Sequence, residues 1–204
     1  MIKAIIFDAG GVLFNSKEAL FQGPIEYVSR ITGKPQELVD KVYRETIKEC
    51  ESKEVDEKYF WEDLVSRLGL EIPYTGQNPI AEGFKRFKFT EGITALIQQL
   101  KPKYKLAIVS NANAVEAKIA HPLSLYDQAH VVVLSYQVGV RKPDPKIYEE
   151  AFKHLEVNPG EVVFVDDAPA NVEEAIKLGM VGVLFKNTDQ LKQELNKVGV
   201  ALDI

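Results

Sequence analysis

The stretch KAIIFDAGGVLF, residues 3–14, decides the fold, because it joins a buried-strand pattern to a carboxylate and a glycine pair. Its residues from Ala4 to Phe7 are all apolar, which is typical of a parallel strand that is covered on both faces. Asp8 follows this run directly, and Gly10 and Gly11 come next. An acid at the end of a buried strand needs an explanation, since an unpaired buried charge is costly.

Four later apolar runs have the same character, and we predict strands at 105–109, 130–134, 161–165 and 181–185. Helical patterns alternate with them at 92–101, 113–120, 145–155, 170–178 and 188–197. Asp144 and Pro145 supply an N-cap and a first helical residue for the third of these helices. Strands that alternate with helices predict an α/β fold with a doubly wound parallel sheet and right-handed crossovers.

The segment 15–89 interrupts this alternation, because it contains amphipathic helical patterns and no convincing strand. The predicted helices are 16–32, 35–50, 56–69 and 79–87, with turn signals at 33–35 and 72–74. We therefore predict a small all-helical domain at 15–89, inserted into a core formed by residues 1–14 and 90–204.

Composition narrows the class of protein. The chain has 204 residues and a net charge of −5, which indicates neither a nucleic-acid partner nor an anionic membrane surface. No apolar run approaches the roughly 20 residues of a membrane helix. Its single cysteine, Cys50, excludes an intrachain disulfide and suits a reducing cytosol, so we expect a cytoplasmic protein.

Polar residues follow four of the predicted strands. They are Asp8, the pair Ser110-Asn111, Lys142 after a loop, and the pair Asp166-Asp167. In parallel α/β sheets, ligands bind beyond the carboxyl ends of the strands, so the fold would gather these residues at one edge. Taken singly, they could be a turn former, a helix cap and a surface lysine. Together, and with two adjacent carboxylates that need a cation, they favour a metal site.

These residue types permit phosphoryl transfer. Carboxylates and a backbone carbonyl at Gly10, which has no side chain to hinder approach, are the hard oxygen ligands that Mg²⁺ prefers. Lys142 and the metal would neutralise a phosphoryl group, and the Ser110 hydroxyl and nearby backbone N–H groups would donate to its oxygens. Asp8 would attack phosphorus and form an aspartyl-phosphate that water cleaves.

Four motifs resemble those of the haloacid dehalogenase superfamily in order and spacing: FDAGGVL at 7–13, VSNAN at 109–113, VGVRKPDPKIY at 138–148 and VFVDDAPANVEEA at 163–175. The resemblance covers the whole core, and the segment 15–89 matches the family's helical cap. It implies a Rossmann-like sheet of five core strands in the order 3-2-1-4-5 and a Mg²⁺-dependent phosphatase that acts on a small phosphomonoester as a monomer or homodimer.

The resemblance also implies roles for individual residues. Asp8 would be the nucleophile, Asp167 a direct metal ligand, and Asn171 a residue that orients Lys142 or the ligands. Asp166 would bind the metal directly or support its ligands. The implied sets are catalytic Asp8, Ser110 and Lys142; phosphate-binding Gly11, Ser110, Asn111 and Lys142; and metal-binding Asp8, Gly10, Asp166 and Asp167.

Position 10 departs from the family's pattern, because its phosphatases usually carry there an aspartate that protonates the leaving group and then activates water. General acid–base catalysis is worth about 10²–10⁴-fold. One interpretation is a phosphatase, similar to an Asp-x-Gly subgroup that includes sugar-phosphate phosphatases, in which an acidic leaving group, a cap residue or a water compensates. The alternatives are a catalytically weak phosphate-binding or regulatory protein and a metal-independent 2-haloacid dehalogenase.

Overall fold

The computed structural model describes residues 1–15 and 17–202, and its centre is one parallel five-stranded sheet. The strands are β1 (Ala4–Phe7), β2 (Lys105–Ser110), β3 (Val131–Leu134), β4 (Val162–Asp166) and β5 (Val181–Leu184). Their order is β3-β2-β1-β4-β5, and every neighbouring pair is parallel. The predicted α/β class and strand order are confirmed.

Ten α-helices surround or extend this sheet in the described part of the chain. They are α1 (Lys17–Thr32), α2 (Gln36–Cys50), α3 (Glu57–Arg67), α4 (Pro79–Phe84), α5 (Ile93–Leu100), α6 (Ala114–Ala120), α7 (Ser135–Val138), α8 (Pro145–Leu155), α9 (Pro169–Lys177) and α10 (Thr188–Lys197). Nine of them match predicted helices within a few residues. The four-residue α7 was not predicted, because it is too short to show a helical period.

Two faces of the central strand explain why the sheet is doubly wound. Ile5 and Phe7 point into a core that contains Leu96 of α5 and Leu191 of α10. Ala4 and Ile6 point to the opposite side and join a second core with residues of α8 and α9. All four β1 side chains are buried, as the unbroken apolar run predicts.

Two predicted helices end two or more residues earlier than their patterns indicate. Helix α3 ends at Arg67 instead of residue 69, because Gly69 takes a positive φ of 70° and the Leu70 N–H turns back to the Val65 carbonyl oxygen. Helix α4 ends at Phe84 instead of residue 87. The first residue of the predicted helix 16–32, Ser16, lies outside the described residues.

Helices α1 to α4 share a core centred on Tyr43, Phe60 and Trp61, to which Val115 of α6 also belongs. The described residues from 17 to 84 contain no strand. A close contact ties α1 to α4: a Cβ on Gly83 would lie 2.2 Å from the carbonyl oxygen of Leu20. Pro24, which lies inside α1, has no N–H to give that oxygen. Only a glycine therefore fits at position 83.

The two chain segments that enter and leave this helical part run together. The Asn15 N–H donates to the Lys88 carbonyl oxygen at 3.0 Å, and its side chain bonds Arg86 and Lys88. Phe14 and Phe89 form a bridge beside them. The proposed division into a helical domain at 15–89 and a core stays a prediction, and this paired entry and exit supports it. Within the described residues, every helix is too short or too polar to cross a bilayer.

Candidate active site

The polar strand ends meet at the carboxyl edge of the sheet, around a cleft of about 370 Å³. Asp8 follows β1, Asp166 ends β4 and Asp167 follows it, while Lys142 lies between α7 and α8. Gly10, Asn111 and Asn171 also line the cleft, so it contains seven of the nine sequence-predicted site residues. Ser110 instead lines a smaller, mostly apolar cavity next to it, which shares Gly10 and Asn111 with the cleft.

Lys142 is the electrostatic centre of the site. Its ammonium donates to Asp8 Oδ1 at 2.5 Å and to Asp166 Oδ2 at 2.7 Å, and it lies 5.6 Å from the centre of the Phe164 ring. Only 2% of the residue is exposed. Burial lowers the pKa of Lys142, but Asp8 and Asp166 outweigh this, so the pKa is raised above its ordinary value. Lys142 is therefore charged and held at one point.

Asp166 is fully buried, and protein donors satisfy both of its carboxylate oxygens. Oδ1 accepts the Ala168 N–H at 2.8 Å, and Asn171 Nδ2 bonds both oxygens at 3.0–3.1 Å. Asn171 is in turn held by the Tyr148 hydroxyl, which donates to its carbonyl oxygen at 3.2 Å. This arrangement fixes Asp166 and, through it, the position of Lys142.

The charge of Asp8 is compensated by fewer protein donors than that of Asp166. Burial raises its pKa from 3.8 to about 6, and the nearby Asp166 adds to the rise although Lys142 opposes it. Partial burial and the charge of Asp166 raise the pKa of Asp167 as well. The three carboxylates offer oxygens within 4.8 Å of one another, and Lys142 is the only cation hydrogen-bonded to Asp8 and Asp166 among the described contacts. Three acids and one ammonium leave a formal excess of two negative charges.

The backbone beside Asp167 is shaped to receive its carboxylate. Gly11 has a φ of 89°, and a Cβ there would lie 2.1 Å from Asp167 Oδ2. A side chain at position 11 would therefore push the carboxylate out of the group. Clustered carboxylate oxygens with an excess of two charges fit a divalent cation, and oxygen-only donors suit Mg²⁺. The residues that could hold it are Asp8, Asp167 and the Gly10 carbonyl. Asp166, whose oxygens already accept protein hydrogen bonds, could bind it directly only by sharing an oxygen with one of these donors.

Two of the predicted phosphate-binding residues are already engaged. The Gly11 N–H donates to the Phe14 carbonyl oxygen at 2.8 Å. The Asn111 side chain clamps the Lys142 backbone, since its Oδ1 accepts the Lys142 N–H at 2.7 Å and its Nδ2 donates to the Lys142 carbonyl oxygen at 3.1 Å. Both roles stay predictions, and the observed contacts favour positioning roles instead: Gly11 for Asp167 and Asn111 for Lys142.

Two charged residues of the cleft escaped the sequence reasoning. Arg141 donates from Nε and Nη2 to Oε2 of Glu51, both at 2.8 Å, and Glu51 is 2% exposed at the end of α2. This buried pair joins the helical part to the loop that carries Lys142. Glu18, in the first turn of α1, lines the same cleft. Arg141 is part of the quoted motif around Lys142, whereas nothing in the sequence indicates which way Glu18 points.

A family model for haloacid dehalogenase-like hydrolases matches residues 2–179, which include all four motifs. The chain belongs to this family. The sequence resemblance is therefore confirmed, and with it the hydrolase class.

Among curated relatives of this family member, an Arabidopsis thaliana protein named chloroplastic flavin mononucleotide hydrolase 1 is 32% identical over 119 residues, or 58% of this chain and 49% of the relative. The chain thus spans about half or less of the first curated relatives that it matches. A D-ribitol-5-phosphate phosphatase from Bacteroides thetaiotaomicron is 26% identical over 97% of this chain and 98% of its own.

Solved structures agree on the fold. A haloacid dehalogenase family enzyme of Bacteroides thetaiotaomicron, in complex with magnesium and inorganic phosphate, has a TM-score of 0.69 at 21% identity, covering 92% of this chain and 96% of that one. The L-2-haloacid dehalogenase of Xanthobacter autotrophicus has a TM-score of 0.64 at 25% identity, covering 98% and 85%. Since likeness of fold does not fix the reaction, residues of the site must carry the functional argument.

Proposed function

We propose that this protein is a Mg²⁺-dependent phosphatase that hydrolyses a small phosphomonoester through an aspartyl-phosphate on Asp8. One observation carries the proposal: the buried Lys142 ammonium binds Asp8 and Asp166, while Asp167 adds a third carboxylate within 4.8 Å. The site thus places a fixed ammonium, that of Lys142, beside a group of carboxylate oxygens that fits a cation. A dianionic phosphoryl group needs both.

In the proposed reaction, a carboxylate oxygen of Asp8 attacks phosphorus and the bond to the leaving oxygen breaks. Lys142 neutralises phosphoryl charge, Asp166 and Asn171 hold Lys142 in position, and Ser110 donates a hydrogen bond to a phosphoryl oxygen. Water then attacks the aspartyl-phosphate, which releases phosphate and restores Asp8. Mg²⁺ would be held by Asp8, Asp167, the Gly10 carbonyl and Asp166, and would supply charge neutralisation for the phosphoryl oxygens.

Relatives and the size of the cleft support a proposed substrate class. A relative covered almost completely by this chain is named a phosphatase of a sugar-alcohol phosphate, which supports a small phosphorylated polyol or sugar. A cleft of about 370 Å³ suits a molecule of that size. We further propose that the helical domain at 15–89 covers the site and selects the substrate. A cytoplasmic location and a monomeric or homodimeric state stay predictions.

The site's charge separates this proposal from a metal-independent dehalogenase. Without a cation, two negative charges of the carboxylate group would stay uncompensated, which is costly where burial already raises the pKa of Asp8. Gly10 favours the other alternative, a catalytically weak phosphate-binding protein, because position 10 offers no acid. That alternative keeps the same metal and the same phosphate ligands, so only turnover separates the two.

A panel of sugar phosphates, nucleotides and p-nitrophenyl phosphate, assayed with Mg²⁺ and with chelator, tests the proposal. We expect Mg²⁺-dependent release of phosphate that Asp8→Asn abolishes, and a trapped phosphoryl group on Asp8 after rapid quenching. Asp189→Asn, which changes an exposed aspartate of α10 in the same way, should leave turnover unchanged.

Three results would decide against the proposal. Hydrolysis that survives in Asp8→Asn would remove the nucleophile. Halide release from 2-haloacids with chelator present would establish the dehalogenase. A ligand-induced stability increase with inorganic phosphate and Mg²⁺, but no turnover on any member of the panel, would establish the weak binding protein.

A further inference from the structure

Glu18 lies in the first turn of α1 and lines the cleft together with Asp8 and Gly10. Among the described residues that line this cleft, it is the one carboxylate outside the aspartate group of Asp8, Asp166 and Asp167. It comes from the helical part of the chain, whereas all three aspartates come from strand ends. The cleft therefore has acids on two different structural elements.

The proposed reaction needs an acid that the sheet edge does not supply. Asp8 must be ionised to attack, and the metal group must be ionised to bind a cation, so neither can protonate a leaving oxygen. Position 10, two residues after Asp8, is a glycine. A positioned acid raises the reaction rate by about 10²–10⁴-fold when the leaving group is poor. The residue that could fill this role is Glu18.

The direction of the displacement also points to α1. In phosphoryl transfer the attacking and leaving oxygens lie roughly in line through phosphorus. Asp8 attacks from the sheet edge, so the leaving oxygen emerges on the side away from the sheet. Glu18 lines the cleft and is carried by α1, which is not part of the sheet.

The contacts of Glu18 leave its carboxyl group free to turn. Its ion pair with Arg44 is long, with Arg44 Nη1 3.8 Å from Oε1, and 71% of its side chain is exposed. A long exposed pair of this kind contributes little and does not lock a side chain.

We propose that Glu18 is the general acid and base of this phosphatase, a role that rests on the proposed function above. As Asp8 attacks and the bond from phosphorus to the leaving oxygen breaks, the Glu18 carboxyl proton passes to that oxygen and an alcohol departs. In the second step the Glu18 carboxylate takes a proton from water while the water oxygen bonds to phosphorus. The bond from phosphorus to Asp8 then breaks, so phosphate leaves and Asp8 and protonated Glu18 are restored.

A series of phosphate esters whose leaving alcohols differ in acidity tests this role. The probes are p-nitrophenyl phosphate, phenyl phosphate and glycerol phosphate, in order of increasing need for an enzyme acid. For Glu18→Gln we expect kcat/KM to fall by about 10²–10⁴-fold on the glycerol ester and by much less on the nitrophenyl ester. The plot of log kcat/KM against leaving-group pKa should become steeper.

Glu37→Gln is the matched control, because Glu37 occupies the first turn of α2 as Glu18 does in α1, and it is exposed outside the cleft lining. It removes the same charge from a helix start and should leave all three rates within about twofold of the parent chain. Thermal unfolding of both variants checks that they fold equally. Partial rescue of the glycerol ester rate in Glu18→Asp would support the role.

The outcomes are separable. If the parent chain turns over the esters and Glu18→Gln matches it on all three, the role of Glu18 is overturned and the phosphatase proposal stands. An equal loss on all three esters also overturns the role, since it indicates positioning or electrostatic support instead of proton transfer. If the parent chain turns over none of them while folded with Mg²⁺, the proposed function fails, and the role of Glu18 falls with it.

Discussion

Replacing Gly11 with alanine is expected to disable the metal group while leaving the protein folded. The new Cβ would lie 2.1 Å from Asp167 Oδ2, and side-chain carbons essentially never approach a heavy atom closer than 3.0 Å. The carboxylate must therefore move by about 0.9 Å, or the backbone must shift by as much. Mg²⁺ demands nearly ideal octahedral geometry, so a displaced ligand weakens it strongly.

Two magnitudes follow from this clash. An alanine with φ near 89° costs about 1–2 kcal/mol in the left-handed region, which lowers Tm by roughly 2–8 °C in a chain of this size. Misplacing a reacting or binding group by about 1 Å costs about 10²-fold in rate. We expect Gly11→Ala to lose about 100-fold in kcat/KM and to need at least tenfold more Mg²⁺ for half-maximal activity.

Gly76→Ala is the control for backbone strain. Gly76 has a φ of 96°, close to that of Gly11, but nothing lies within 4 Å of its would-be Cβ. It should show a similar fall in Tm without any change in Mg²⁺ dependence. Kinetic Mg²⁺ titrations of both variants, with thermal unfolding as the fold check, measure the difference. Equal Mg²⁺ dependence in two folded variants would refute the reasoning.

Three further predictions follow from other buried groups. Lys142→Met should lower the free energy of unfolding by about 3–5 kcal/mol in urea, because it leaves buried carboxylates without their cation; a loss below about 1 kcal/mol would contradict this. Arg141→Gln should lower the free energy of unfolding in the same assay, because it removes both hydrogen bonds that Arg141 donates to Glu51; an unchanged value would show that this pair is not formed in solution. Cys50 should react with Ellman's reagent only after urea unfolding, because burial raises the pKa of its thiol to about 11; rapid labelling of the folded chain would count against this packing.

Local sequence patterns were sufficient to predict the architecture of the core. Unbroken apolar runs predicted parallel strands buried on both faces, and β1 indeed packs against two separate cores. N-cap and proline signals predicted the start of α8, whose bounds Pro145–Leu155 match the prediction. Because such signals depend on neighbouring residues alone, one sequence is enough to detect them.

The candidate site was predicted only in part. Residues at strand ends could be assigned to one edge, since parallel strands deliver their carboxyl ends together. The assignment of Gly11 and Asn111 to phosphate missed their observed partners, because a hydrogen bond from Asn111 to Lys142, 31 residues away, leaves no local trace. Helix α7 was missed because its four residues are too few to show a helical period.

The amino-acid sequence by itself determined the sheet, the order of its elements and the identity of the acids and the lysine, because these follow from local patterns and from the family motifs. Only the tertiary structure decided how their charges combine. It buries Lys142 between Asp8 and Asp166, sets Gly11 against Asp167, and brings Glu18 and Arg141 to the cleft. The physical reason is that electrostatic energy depends on distance and burial, and both depend on how α1 and α2 pack against the core, which no local pattern contains.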